Sequence, residues 1–345
     1  MKTRTLLTAV VAASLAASFA ASFAAPPLGA QEIDGQCPPG TSNGAGQPDN
    51  TKVAQDACQK AIDLFKYMAP QLGVVLAGGN PTQGFGGTLG GLGHFSFGVR
   101  GNGLQASLPE VDRVVPNTRG AQQSTYTLDT KPVGFITADL AIGLFQGMAT
   151  SGFGALDAIV SASYIPEYDG VSVDVTVPSG SVKFGFGAKV GILKETAVRP
   201  GVSVSFLERN LPKVTITGVS GDDRLLLENI DVRARSWRVV AGKSFLFLGA
   251  GVGFGRDNYD SNASITVNVA PRAATQGGIG GPIALGQKLG RNNFFGSLWI
   301  KSPVMRIVGE LGVVSGGDIV TYNAFTGAQP ADSRTYASVG LSFGR

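Results

Sequence analysis

The 345-residue chain carries 50 glycines, only 15% charged residues and a formal net charge of +4. So small a positive excess, with no basic run and no aromatic–basic interleaving, excludes a nucleic-acid binder. A chain this rich in glycine and this poor in charge is also unlike a soluble enzyme. Two cysteines and a single histidine cannot complete four ligands, so no metal and no cofactor is expected.

Lys2 and Arg4 precede an apolar, alanine-rich run from Leu6 to Ala21, and small residues offer cleavage after Ala24 or Ala30. This predicts a secretory signal over residues 1–30. Cys37 follows Asp34-Gly35-Gln36, which is not a lipoprotein box. Beyond the signal no apolar run reaches the length of a transmembrane helix. A membrane-spanning strand needs only about 9–11 alternating residues, so membrane residence stays open.

Residues 31–91 read as an N-terminal region. Residues 31–50 are polar and turn-rich. In an exported chain the isolated pair Cys37 and Cys58 predicts a disulfide, whose loop is worth on the order of 3 kcal/mol in chain entropy. Residues 51–69 predict the one convincing helix. Val53, Ala57, Ala61, Leu64, Phe65 and Met68 recur at helical spacing, with Lys52, Gln55, Asp56, Gln59, Lys60, Asp63 and Lys66 on the other side. Pro70 and Gly73 are expected to end it, and a glycine-dense loop follows over 78–93.

From residue 92 to 345 a period-two alternation recurs in segment after segment. In Ser181–Leu193, Val182, Phe184, Phe186, Ala188, Val190 and Ile192 alternate with Ser181, Lys183, Gly185, Gly187, Lys189 and Gly191. A strand sends these two sets to opposite faces. Similar segments lie at 95–100, 136–144, 156–164, 202–209, 230–235, 246–254, 305–313 and 336–343, with weaker ones near 104–108, 213–219, 263–269, 282–288 and 294–301. In an exported chain this pattern predicts a transmembrane antiparallel β-barrel of about 12 strands (10–14 allowed), apolar face to lipid and polar face to the lumen. A charge on the lipid face at mid-membrane would cost about 2–4 kcal/mol. Trp237, Trp299, Tyr164 and Phe294-Phe295 are placed in aromatic girdles, and segments 109–130 and 316–334 in long outer loops. The competing reading is a periplasmic or secreted β-sandwich, disfavoured by the charges on the face opposite the greasy one and by the lack of a cysteine pair inside the sheet region.

By this phase, Arg100, Lys183, Lys189, Arg209, Arg233, Arg235 and Arg306 face the lumen against Asp139, Asp157, Asp231 and Glu310. They either bias a pore toward anions or pair across strands and close the interior. Gly249, Gly251, Gly253 and Gly255 share one face of one strand, which suggests a smooth wall where another element packs, with helix 51–69 as the candidate plug. These glycines form neither G-x-G-x-x-G nor a phosphate loop, so no nucleotide is expected. His94 is the only histidine, and without a G-x-S-x-G motif it gives a weak case for a hydrolase, so no catalytic residue is assigned. Asp222-Asp223 and the run Asp257–Asn262 are read as exposed loops rather than calcium ligands.

The closing run Ser333–Arg345 alternates Tyr336, Ser338 and Ser342 with Ala337, Val339, Leu341 and Phe343. It resembles the last strand of bacterial outer-membrane β-barrels, which ends on an aromatic residue read by the barrel-assembly machinery; here Gly344 and Arg345 follow Phe343. An N-terminal plug before a barrel is similar to hydrophobic-compound channels of the fatty-acid transporter type. The resemblance implies an outer-membrane protein of a Gram-negative-type bacterium, with lipid, the assembly machinery and a small solute as partners. The function expected is that of a porin-like or plugged channel for passive passage of a small solute. The alternative is a structural or adhesive surface barrel with a packed interior.

Overall fold

A computed structural model describes residues 33–37, 50–82, 84–110, 116–167, 169, 173–271 and 278–344; the signal at 1–30 and most of the 31–49 segment lie outside them. The described elements begin with one helix, α1 (Asn50–Ala77), followed by fourteen strands. The strands are β1 (Phe95–Pro109), β2 (Thr125–Tyr126), β3 (Leu128–Phe145), β4 (Leu156–Tyr164), β5 (Val173–Thr176), β6 (Val182–Leu193) and β7 (Gly201–Asn210). After them come β8 (Val214–Ser220), β9 (Asp223–Phe245), β10 (Leu248–Val269), β11 (Gly278–Lys301), β12 (Met305–Val314), β13 (Ala324–Phe325) and β14 (Arg334–Gly344).

Twelve strands form one antiparallel sheet in the order β10-β11-β12-β14-β1-β3-β4-β6-β7-β9-β8-β5, and β10 pairs back onto β9. That last pairing closes the sheet, so the chain folds as an all-β barrel. The ring itself passes through ten strands, while β8 and β5 extend its wall above β7 and β6. Closure removes the unpaired edges that a spanning sheet cannot leave in hydrocarbon. The remaining strands, β2 and β13, make a short parallel bridge between two loops.

The two ends differ. At one end the connections are short: Leu246-Phe247 joins β9 to β10 and Ser302–Val304 joins β11 to β12. At the other the loops after β1, β4 and β12 are long. This asymmetry is the one seen in outer-membrane barrels, with short turns on the periplasmic side.

Outward residues near the short-turn end are apolar, as Phe97, Val99, Ile136, Phe186, Phe206, Val252, Leu298, Leu311, Val339 and Phe343 show by their exposure. Farther up the longest strands the sorting inverts. On β10 the outward set passes from Leu248, Ala250, Val252 and Phe254 to Arg256, Asn258, Asp260 and Asn262. The inward set passes from glycines to Tyr259, Ala263, Ile265 and Val267. β9, β10 and β11 are 23, 22 and 24 residues long, about twice what a bilayer needs. Their upper halves stand in water outside and pack on apolar α1 inside.

This inversion corrects the phase expected for β9. Val232 and Ala234 are buried inside, whereas Arg233 and Arg235 are exposed on the outer wall and Asp231 is half-buried on the same face. Two girdle assignments are corrected likewise. Trp299 and Phe295 point into the barrel and are buried, while Trp237, Tyr164 and Phe294 face outward. The run Asp257–Asn262 is not a loop; it continues β10.

α1 threads the upper barrel. Val53, Ala57, Ala61 and Phe65 join a buried cluster with wall residues such as Leu104, Phe135, Val232, Ile265 and Leu285. Leu64 packs with Tyr67, Tyr126 and Phe325, and half-buried Met68 packs against them. The helix does not stop at Pro70 but runs on to Ala77. Proline removes the bond to the Lys66 carbonyl, and the wall supplies a donor in its place, Gln287 Nε2 at 3.4 Å. The polar side of α1 is not solvated either. Asp56, Gln59, Lys60 and Asp63 are buried, and the two aspartates hold the long loops. Asp63 accepts from the backbone of Tyr322 and Asn323 at 3.1 and 2.8 Å, and Asp56 from the backbone of Asn117 at 2.6 Å. Cys37 and Cys58 form the disulfide at this end.

Candidate functional site in the barrel lumen

After Ala77 the chain leaves the helix and descends the lumen to β1, which starts at the short-turn end. Its backbone meets a ladder of charged wall residues. Three inward arginines converge on the end of α1, where the last carbonyls lack intrahelical partners and the dipole is negative. Arg209 Nη1 donates to the carbonyls of Leu76 and Ala77 at 3.3 and 3.2 Å. Arg100 Nη1 donates to Gly78 at 2.9 Å, and Arg238 donates to Gly79 at 2.9 Å and to Ala77.

Two carboxylates neutralise these arginines from behind. Asp139 lies 2.7 Å from Arg100 Nε and 3.6 Å from Arg209 Nη2; Asp257 lies 3.6 Å from Arg238 Nη2. All five side chains are buried. Asp257 also accepts from Asn293 Nδ2 at 2.7 Å. One layer down, Glu310 accepts from the Asn80 amide at 3.1 Å and from the Tyr336 hydroxyl at 3.0 Å. Lys189 Nζ donates to Thr82 Oγ1 at 2.7 Å and to the Phe85 carbonyl at 2.6 Å. Asp157 accepts from the Leu89 amide at 3.0 Å. Acid and base alternate down the passage, so the mid-lumen carries no large excess of either sign.

The sequence-derived residues divide as follows. Arg100, Asp139, Asp157, Lys189, Arg209 and Glu310 are inward and buried on this ladder, and Arg306 is inward and half-buried. Lys183 shares the inward phase but stands one layer away, opposite Ser163. Asp231, Arg233 and Arg235 are not in the lumen, and Arg235 instead pairs with Glu208 on the outer wall at 2.8 Å. Gly249, Gly251, Gly253 and Gly255 do face inward, but α1 is not what lies on them. The Trp299 ring covers Gly249 and the Phe295 ring covers Gly253; each is the directly opposed residue on β11. Beside Gly251 are Ser297 and the Gly84 carbonyl, and beside Gly255 the backbone of Trp237. The wall is smooth because two large rings occupy the space that side chains would need.

Arg238 and Asp257 are the ladder members that the alternation did not reveal. Trp237 and Val239 flank Arg238 as outward residues, and that was the available signal. Asp257 sits where no apolar set marks the strand phase. His94 is exposed, with Nδ1 3.3 Å from the Gly91 carbonyl; no carboxylate or hydroxyl partner serves it among the described residues. No group of three metal-ligating side chains occurs among them either.

At the short-turn mouth the lumen opens into two cavities of about 630 Å³ each, on either side of the descending chain. Phe85, Thr88, Lys301 and Arg306 border both. Arg306 lies over the Phe85 ring, 5.0 Å from its centroid.

No protein-family model matches the sequence, and no curated protein matches it. Among solved structures, the chain is similar to the translocator domain of the autotransporter NalP from Neisseria meningitidis, at 10% identity, covering 72% of this chain and 87% of that one, with a TM-score of 0.37. It is similar to the outer membrane protease OmpT from Escherichia coli at 8% identity, covering 73% and 95%, with a TM-score of 0.36. For the Pseudomonas putida toluene transporter TodX the values are 10% identity, 76% and 96% coverage, and a TM-score of 0.31. These are remote likenesses among proteins of different activities.

Proposed function

We propose that this is an outer-membrane barrel shut at rest by its own N-terminal segment, a plugged channel rather than an open porin. The outward apolar band, the closed sheet and the asymmetric ends support the membrane reading. Phe343, outward on the last strand, supports recognition of β14 by the assembly machinery. The observation that carries the plug is that the luminal ladder ends on protein backbone. Arg100, Arg209, Arg238, Lys189, Asp157 and Glu310 all spend hydrogen bonds on residues 76–89. A solute passing the lumen requires residues 78–94 to move aside and α1, whose end the arginines hold, to shift from its apolar seat.

The test is conductance of the purified protein in planar bilayers. The intact protein is expected to show no steady open level. A variant with the tether cut, Arg209→Ala with Arg238→Ala, should conduct while still migrating as a folded barrel on unheated gels. A steady, large conductance of the intact protein would overturn the plug. The second reading is a surface scaffold with a permanently closed interior, favoured by the continuous apolar cluster between α1 and the wall. A folded tether variant that stays silent would select it.

A further inference from the structure

Lys301 and Arg306 are directly opposed residues of β11 and β12, and both belong to the inward phase of their strands. Like charges placed opposite each other across a sheet are destabilising. Here no carboxylate within ion-pair distance relieves them among the described residues, and Arg306 Nε is buried without a hydrogen-bond partner. Both side chains border both cavities at the short-turn mouth.

The cavities hold two further cations and two carboxylates, and one of these, Glu195, lies near enough to Arg306 to offset part of its charge. Asp157 accepts twice from the Leu89 amide. Glu195 accepts from the Ser244 amide at 2.7 Å. Lys243 donates to the carbonyls of Thr196 and Arg199. Lys194 is exposed at the rim. Four cations therefore face two carboxylates, an excess of two positive charges, in a concave site whose low-dielectric walls concentrate the field.

We propose that this vestibule binds a small, freely diffusing oxyanion of charge two or more, such as a phosphate or a polycarboxylate, held between Lys301 and Arg306. A guanidinium offers such an anion a two-pronged donor and the ammonium a point charge. The site opens at the short-turn mouth and is reached from there with the luminal segment, which borders it at Phe85 and Thr88, still in place. Its occupancy therefore does not depend on whether the barrel ever conducts. The proposal rests on the channel reading only for what the bound anion would do next.

The experiment is calorimetric titration of the full detergent-solubilised protein with inorganic pyrophosphate and, separately, with citrate, at constant ionic strength set by sodium chloride. One saturable site is expected for each. Lys301→Gln with Arg306→Gln should weaken it at least tenfold, Arg306→Lys should retain most of it, and Lys288→Gln, an exposed cation of the outer wall, should leave it unchanged. Migration on unheated gels shows that each variant keeps its barrel, and Lys301→Gln alone replaces the double variant if that fails to fold. Absence of saturable binding, or equal affinity in the variant lacking both cations, overturns the site. A protein that binds anions yet never conducts, even with its tether cut, loses the channel reading and keeps the site.

Discussion

The Trp299 indole covers Gly249, its directly opposed neighbour across the β10–β11 ladder. A Cβ at position 249 would stand 2.1 Å from the indole Nε1, well inside contact distance. Gly253 and Phe295 repeat the arrangement four residues along. Each pair exchanges the weakness of glycine in a strand for burial of a large ring.

Gly249→Val is therefore expected to expel Trp299 from its seat. Overpacking of this kind costs about 1–3 kcal/mol, and thermal unfolding in detergent measures it. The same substitution should shift Trp299 fluorescence toward longer wavelength as the ring meets water. An unshifted spectrum with unchanged stability would show that the ring does not depend on the glycine.

Arg238 serves Ala77, Gly79 and Asp257 at once while fully enclosed. Arg238→Met leaves Asp257 as an uncompensated buried charge, at a cost of about 3–5 kcal/mol. Adding Asp257→Asn should return part of that loss. Additive losses in the double-mutant cycle would mean that the two residues do not act as a pair.

By contrast Arg235→Gln should change stability by no more than about 0.5 kcal/mol. Its side chain is 51% exposed and its pair with Glu208 lies on the outer wall, where solvent screens such pairs. Added to the variant with the tether cut, it should leave that variant's conductance untouched as well. A change in ion selectivity would return Arg235 to the lumen.

Asp63 gives the fold a pH dependence. Burial raises its carboxyl above the ordinary value of 3.8, while hydrogen bonds from Asn323, Tyr322 and Gln59 act the other way. A carboxyl with a raised folded pKa takes up protons on folding, so its contribution is full below the ordinary value and is lost as pH climbs through the folded one. Unfolding free energy followed from about pH 4 to about pH 7 should fall more steeply for the wild type than for Asp63→Asn. Equal slopes would refute the assignment. The variant should also loosen the Tyr322–Asn323 loop, which Asp63 anchors through three hydrogen bonds.

Much of the barrel was legible because lipid imposes a rule on every residue of a spanning strand. Val99, Leu140, Phe186 and Val339 had to alternate with polar or small neighbours. The rule fails where strands leave the bilayer, and there the β9 phase was misread: Arg233 and Arg235 meet water outside while Val232 and Ala234 meet α1 inside. The pair Cys37 and Cys58 was readable from export and number alone. Arg238 and Asp257 were not, because their role comes from partners more than 150 residues distant or on another strand.

What the sequence by itself determined is the alternation, and with it a membrane-facing sheet, because side-chain direction in a strand is a local property. Tertiary structure alone decided what occupies the middle. Whether α1 ends at Pro70, whether its polar side sees water, and whether the luminal charges stay free or meet the backbone all depend on groups brought together by closure of the ring. A barrel's interior is defined only once its first and last strands have met.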